Sequence, residues 1–321
     1  MKDITFSRRS LLVSAGLLAL APLAGCGGNS GSGSAAAGSD YTVGVLQLTE
    51  HSALDAANDG FVKAIKKSGL KVKIDQKNAQ NDQSTCKSIA DKFVGDGVDL
   101  IYAIATPAAQ AAAGPIVGCA ITDYAASGLV QDNDKPGTNV TGASDLTPVA
   151  EQLEMMQKVL PDVKKVGLLY CTAESNSDVQ IKAAKKELDK LGLDYTDYTV
   201  SSSNEIQSVV ESAVGKVDAL YSPTDNTIAA GASQVGQICK ENKLPYVTGE
   251  EGMCMAGGLF TLSINYEDLG YAAGEMAVKI LKGEAKPEDM PIKHLSSKDL
   301  VVVKNDEMAE ALGIDLSALD E

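Results

Sequence analysis

From residue 41 onward, short apolar runs alternate with stretches in which apolar residues recur every three or four positions. That alternation is the pattern of parallel strands wrapped by helices. Runs at 43–48, 72–75, 100–105 and 116–121 predict the strands of a first unit, and runs at 166–171, 193–200, 219–222 and 246–248 those of a second. The two units repeat in register. Val43-Gly44-Val45-Leu46 answers Val166-Gly167-Leu168-Leu169, and in each unit a Gly-Leu pair, Gly69-Leu70 or Gly192-Leu193, follows the strand glycine by 25 residues. Val98-Asp99-Leu100-Ile101-Tyr102 answers Val217-Asp218-Ala219-Leu220-Tyr221, at 55 and 51 residues from the same glycines. Self-similarity on this scale marks a repeated structural unit. The expected fold class is α/β, two doubly wound parallel-sheet lobes of about 110 residues each facing one another across a cleft.

The repeat has one mismatch. Asp218 is followed by Pro245 after 27 residues, whereas Asp99 is followed by the matching Pro115 after 16. Residues 106–114 then connect two parallel strands, where a crossover with a helix takes a dozen residues or more. Either that helix shrinks to about a turn and a half, or the strands are not neighbours. Further on, 259–264 crosses back, and 266–281 has helical spacing (Leu269, Ala273, Met276, Ala277, Ile280) that ends at Gly283. A strand at 300–303 and a short acidic helix close the chain. Three crossings result, with an N-terminal lobe of 41–145 plus 265–299 and a C-terminal lobe of 146–264 plus 300–321.

The first forty residues are of another kind. Lys2, Arg8 and Arg9 precede an apolar run over 11–23 in which Ser14 is the one polar residue, too short to span a bilayer as a mature helix. Residues 1–25 therefore read as an export signal; Ser7-Arg8-Arg9-Ser10-Leu11-Leu12 resembles a twin-arginine signal, and Sec export is the other route. Leu23-Ala24-Gly25-Cys26 resembles a bacterial lipobox, with Cys26 as the lipid-attachment residue. Residues 26–40 are Gly/Ser-rich and read as a slack tether. A lipid-anchored body on the outer face of a cell membrane is the expected arrangement.

The chain carries 28 basic and 43 acidic residues. Without residues 1–25 the balance is 25 bases to 42 acids, a net charge of −17, which argues against nucleic acid or anionic lipid head groups as partners. Besides Cys26 there are five cysteines, 86, 119, 171, 239 and 254, without paired CxxC spacing, so at least one is free in a monomer and buried inert thiols are expected.

Ligands of open parallel sheets bind beyond the carboxyl ends of the strands. Those positions run 47–55, 105–108 and 122–124 in the first lobe and 172–177, 223–227 and 249–252 in the second. Every base beyond residue 9 is lysine, so no guanidinium clamp for a carboxylate or phosphate is available there. A ligand carboxylate falls instead to helix-start amides and the hydroxyls of Thr106, Ser175 and Ser177. Asp55, Asp123, Glu174, Asp225, Glu250 and Glu251 suit an ammonium group. A zwitterion meets both conditions. Asp or Asn after a strand has a plainer role as a helix cap, which stays open for Asp225-Asn226, and Glu250-Glu251 also reads as a solvated charge pair. Two histidines far apart give no zinc spacing, and neither a GxSxG elbow nor a phosphate loop occurs. No catalytic residue, metal or cofactor is expected.

Gln47-Leu48-Thr49-Glu50-His51-Ser52-Ala53-Leu54-Asp55, Ala105-Thr106-Pro107-Ala108-Ala109-Gln110, Thr122-Asp123, Asn139-Val140-Thr141-Gly142, Ser222-Pro223-Thr224-Asp225-Asn226 and Gly249-Glu250-Glu251-Gly252 together resemble the ABC-transporter substrate-binding lipoproteins of tryptophan/tyrosine type, from about residue 41 to 315. The resemblance implies a type I periplasmic-binding-protein fold, a hinged cleft, and delivery of a small solute to a permease and its ATPase; some relatives bind aromatic amino acids and others sugars. A monomer whose cargo is an amino acid, the zwitterion above, is the expectation. The resemblance carries Glu50, His51, Thr106, Pro107, Ala108, Asp123, Glu174, Asn176, Ser177, Asp225, Asn226, Gly249 and Glu250 into the cleft as ligand-binding candidates, and Gln47 and Tyr124 join them by their place at strand ends. Tyr124 and Tyr170 are the rings expected to stack on an aromatic side chain. Two departures fall beside Thr106 and Asp123: the stretch 111–114 is shorter than the family's, and Tyr124 stands where the family has proline. The alternatives are a ligand-sensing lipoprotein for a membrane receptor, an importer component for a sugar or nucleoside, and an exported hydrolase using Asp225 or Glu250.

Overall fold

The computed structural model describes residues 40–320, so Cys26, the signal segment and most of the tether lie outside the described residues. In chain order the elements are β1 (Tyr41–Gln47), α1 (Ser52–Lys67), β2 (Val72–Asn78), α2 (Gln83–Asp96), β3 (Leu100–Ile104), α3 (Thr106–Ala111), β4 (Ile116–Cys119) and β5 (Val140–Ser144). There follow α4 (Val149–Val159), β6 (Lys165–Cys171), α5 (Ser175–Leu191), β7 (Asp194–Val200), α6 (Ile206–Ala213), β8 (Ala219–Ser222), α7 (Asn226–Ala230), α8 (Ala232–Glu241), β9 (Tyr246–Thr248) and α9 (Glu251–Gly257). The chain ends with β10 (Phe260–Ile264), α10 (Tyr266–Leu281), β11 (Lys293–His294), β12 (Leu300–Lys304) and α11 (Asp306–Leu312).

The repeat seen in the sequence is a repeat of topology. The first sheet runs β11-β5-β4-β3-β1-β2 and the second β7-β6-β8-β9, each entirely parallel. Thus β1 lies between β2 and β3 just as β6 lies between β7 and β8. The matched glycines do matched work: a Cβ on Gly44 would sit 2.6 Å from the Phe93 ring, and one on Gly167 would sit 2.5 Å from Leu220. Each glycine leaves room for a large side chain against the central strand. One apolar core fills the first lobe, while the second has a core on each side of its sheet. The expected two-lobed α/β architecture is the one found.

The short connection resolves in favour of a shrunken helix. β3 and β4 are neighbours, with Ile101 opposite Ile116, and α3 has 6 residues. Ala105 takes φ of 82° to start it, and Ala120 turns left-handed at φ of 54°, so the two strands stop at Ile104 and Cys119, short of the expected 105 and 121. Strand β5 and helix α4 have no counterpart among the elements read from sequence. β5 escapes because Val-Thr-Gly-Ala-Ser is buried at every position and lacks a long apolar run.

The chain passes between the lobes three times, after β5, between β10 and α10, and between β11 and β12. β10 and β12 pair antiparallel, Phe260 opposite Lys304. Beyond the second pass, α10 lies directly on α1. A Cβ on Gly60 would be 1.9 Å from Glu267 O, and one on Gly270 1.9 Å from Ala57 O, so the two helix backbones touch and only glycine permits it. Among the described residues no helix is long and apolar enough to cross a membrane.

Candidate functional site

On the second lobe, three carboxylates at strand ends hold helix starts. Glu174, the N-cap of α5, is buried and accepts from Asn226 N at 3.0 Å, Asn226 Nδ2 at 2.6 Å, Thr227 N and Thr227 Oγ1 at 2.8 Å, and Asn176 Nδ2 at 3.1 Å. Asp225, the N-cap of α7, accepts from Ile228 N at 2.9 Å and from Cys171 N and Ser177 Oγ at 2.7 Å. Glu250, the N-cap of α9, accepts from Gly252 N at 2.5 Å and Met253 N at 2.6 Å. These amides are the donors that a helix start leaves without intrahelical partners. Burial still dominates the charge balance: it pushes the Asp225 carboxyl above the usual range, with Glu174 adding to the shift, and pushes Glu250 up to about 7.

On the first lobe, His51 is the N-cap of α1 and its ring reaches across the cleft, Nε2 lying 3.3 Å from Asn226 Oδ1. Because Nδ2 of that amide is committed to Glu174, Oδ1 is the atom presented, and Nε2 carries the proton. Nδ1 is buried and has no partner, and burial draws the imidazole below its usual pKa. Asp145 follows β5 at the first crossing. It is buried and accepts from Thr122 Oγ1 at 3.2 Å and from Tyr266 OH at 3.1 Å, and desolvation lifts its carboxyl to about 6. Since Tyr266 opens α10 at the second crossing, this bond ties two crossings together beneath the site.

These groups enclose a cavity lined by His51, Leu54, Ala120, Thr122, Asp145, Asn176, Thr224, Asp225, Asn226, Ala229, Glu250 and Tyr266. It is shut by bonds between the lobes. Gln180 Nε2 donates to Thr224 Oγ1 at 2.6 Å and reaches Thr122 Oγ1 at 3.3 Å; Asn81 Nδ2 donates to Thr227 Oγ1 at 3.1 Å. About 10 Å³ is left for the centre of a water-sized sphere, room for one water. An amino acid enters only when the lobes part.

Five of the residues expected from sequence line the cavity: His51, Asn176, Asp225, Asn226 and Glu250. Glu174 and Ser177 stand behind Asn226 and Asp225. Gly249 lets two strand-end loops touch, since a Cβ there would be 2.4 Å from Pro223 C. Others lie elsewhere. Gln47 is buried and donates to Thr49 O at 2.8 Å and Asp55 Oδ1 at 2.6 Å, and Glu50 is exposed. Thr106, Pro107 and Ala108 are buried in α3, outside the lining. Asp123 closes a turn, accepting from Ala125 N at 3.0 Å, Ala126 N at 3.1 Å and Asn133 Nδ2 at 3.0 Å. Neither expected stacking ring is at the cavity. Tyr124 belongs to the first core, its OH donating to Ala143 O at 3.1 Å and its edge against Gly118 and Gly142; Tyr170 stands near Asp197 and Lys185. The ring at the cavity is Tyr266. Asp145, Tyr266, Gln180, Ala120 and Ala229 were not among the sequence candidates. The strand-end rule, applied to β5 and to the end of β10, would have found the first two.

The five cysteines among the described residues are buried and free, and burial pushes Cys119, Cys239 and Cys254 up to about 12. No group of three or more His, Cys, Asp or Glu able to hold a metal occurs among the described residues.

Residues 42–318 match a family described as ABC transporter substrate binding protein. A tyrosine-binding protein of Clostridioides difficile is 39% identical over 96% of this chain and 93% of its own length. An ABC domain from Streptococcus pneumoniae solved in complex with L-Trp is 39% identical and superposes with a TM-score of 0.84, covering 88% of this chain and 98% of that one. The ligand-free, open structure of a substrate-binding protein with adhesive properties from Clostridium difficile is 45% identical, yet its TM-score is 0.65 over 86% of this chain and 95% of that one. The chain thus resembles the L-Trp complex more than a nearer sequence caught open, as the bonds between its lobes require.

Proposed function

The chain belongs to the ABC transporter substrate-binding proteins, and we propose that its cargo is an aromatic amino acid, L-tyrosine or L-tryptophan, delivered to a permease and its ATPase. The observation that carries this reading is the cavity between the lobes, walled by amide, hydroxyl and carboxylate groups and free of lysine, in a chain 39% identical to a tyrosine-binding protein. A solute at the cavity touches both lobes at once and so favours the closed form by its differential affinity. The lobes proposed are 41–145 with 265–299 and 146–264 with 300–321. On this reading residues 1–25 direct export, Cys26 takes the lipid, and 26–40 tether a monomeric body within reach of the permease.

The test is a thermal-shift screen of the purified chain against the twenty amino acids, a sugar panel and a nucleoside panel. At 100 times the dissociation constant a ligand adds about 2.7 kcal/mol of stability, so a rise in Tm with L-tyrosine or L-tryptophan is expected. A response to sugars or nucleosides alone would overturn the cargo.

A further inference from the structure

We infer that the ligand's ammonium group is bound by Asp145, with His51 Nδ1 and Asn176 Oδ1 completing an acceptor pocket for its three N–H bonds. This inference rests on the reading of the cargo as an amino acid and names the residues that read one end of it.

The carboxylates of the second lobe are occupied with backbone: Glu174 accepts two backbone amides, Asp225 two and Glu250 two. Asp145 is as deeply buried, but the other residues that bond its carboxylate are two hydroxyls at 3.1 and 3.2 Å, and its remaining donor is its own amide. No lysine lines the cavity. A buried carboxylate so placed calls for a cation.

Two further groups point the same way. Asn176, 3% exposed, donates through Nδ2 to Glu174 and to Thr224 O, each at 3.1 Å, which fixes its amide and leaves Oδ1 without a partner. His51 Nδ1 is likewise unpartnered, and the proton on Nε2 makes it an acceptor in the neutral ring. Both residues line the cavity together with Asp145. The two polar side-chain atoms left bare by the cavity residues Asn176 and His51 are therefore acceptors, and an ammonium supplies donors to both while neutralising the carboxylate. Because Asp145 lies on the first crossing and Tyr266 on the second, the same contact would set the hinge in its closed arrangement.

The test is calorimetric titration of the purified chain with L-tyrosine, tyramine, N-acetyl-L-tyrosine and 3-(4-hydroxyphenyl)propionate, on the wild type and on Asp145→Asn. The inference expects loss of the ammonium to weaken binding at least 100-fold in the N-acetyl and propionate compounds. Tyramine, which keeps the ammonium, should bind more tightly than either. Asp145→Asn should weaken L-tyrosine at least 30-fold but leave the propionate unchanged, a split that general damage to the site would not produce. Equal binding of L-tyrosine and its N-acetyl derivative would overturn the inference while leaving the amino-acid reading intact. If Asp145→Asn does not fold, the ligand series on the wild type decides. If no amino acid binds, the cargo reading falls, and tyramine and putrescine against their neutral alcohols become the probes; no preference for the ammonium would then sink the inference as well.

Discussion

The two lobes repeat one topology, yet their walls of the cleft are built on opposite principles. In the second lobe Glu174, Asp225 and Glu250 each hold the start of a helix and are themselves held by backbone amides. Its crossover after β8 runs through α7 and α8, so every strand end there meets a helix that can be capped. The first lobe spends 6 residues on the corresponding helix, and its polar contribution comes from one cap residue, His51, from the Thr122 hydroxyl, and from the crossings, Asp145 and Tyr266. The difference teaches that a carboxylate beside a cleft can be structural or receptive, and that the donors already bound to it tell which.

Removing the most heavily committed carboxylate should have the largest effect. Glu174→Ala strips the buried amides of Asn226 and Thr227 of their acceptor, at a cost of about 3–5 kcal/mol, read as a fall in Tm of about 10 °C. A loss of less than 1 kcal/mol would mean that the second wall is not held in this way.

Next is Gly270→Ala, where the new Cβ meets Ala57 O and forces α10 off α1. Overpacking of this kind costs about 1–3 kcal/mol. Chemical denaturation should show it, with the first-lobe core unfolding earlier.

The comparison is sharpened by pH. Glu250 and Asp145 have folded pKa values near 7 and 6, above their ordinary 4.5 and 3.8, so the folded protein holds more protons than the unfolded chain between about pH 4 and 7. Their contribution to stability is present at low pH and is lost as pH rises through those values. Asp225 acts in the same sense, and His51, drawn downward, acts in the opposite sense below its ordinary 6.5. Tyr266, Tyr124 and Cys119, the other titratable groups near Asp145, are pushed further above neutrality by burial. Tm should therefore fall from pH 6.5 to 8 at constant ionic strength. Asp145→Asn should raise Tm at pH 7.5 by the equivalent of about 1–2 kcal/mol, whereas Glu174→Ala lowers it. A fall in both variants would erase the distinction between the walls.

The smallest effect belongs to the latch. Gln180→Ala removes the side chain that reaches from Thr224 to Thr122, worth about 1 kcal/mol. Small-angle scattering should show a larger radius of gyration for the variant, restored by saturating ligand. An unchanged radius would show that this bond does not hold the lobes together.

Much of the fold is legible in the chain because strands β1, β3, β6 and β8 are apolar runs bracketed by amphipathic helices, and because Gly44 and Gly167 recur in equivalent places. β5 is not legible, since its burial is complete but its side chains are small. The site is legible where a residue both ends a strand and caps a helix, as Asp225 and Glu250 do. Thr106, Asp123 and Tyr124 satisfy the same strand-end rule and yet serve their own lobe: the reduced α3, the turn after Ala120, and the ring pressed against Gly118 and Gly142 direct them there.

The sequence by itself determined the repeat, the three passes, the acidic balance and the absence of arginine from the folded body, because these follow from periodicity and composition. Only the tertiary structure decided which carboxylates are already satisfied and which is not. Asp145 and Tyr266 are 121 residues apart in the chain, and His51 and Asn226 are 175 apart. Hydrogen-bond supply to a buried charge depends on such distant neighbours, and it exists only once both lobes have folded and closed.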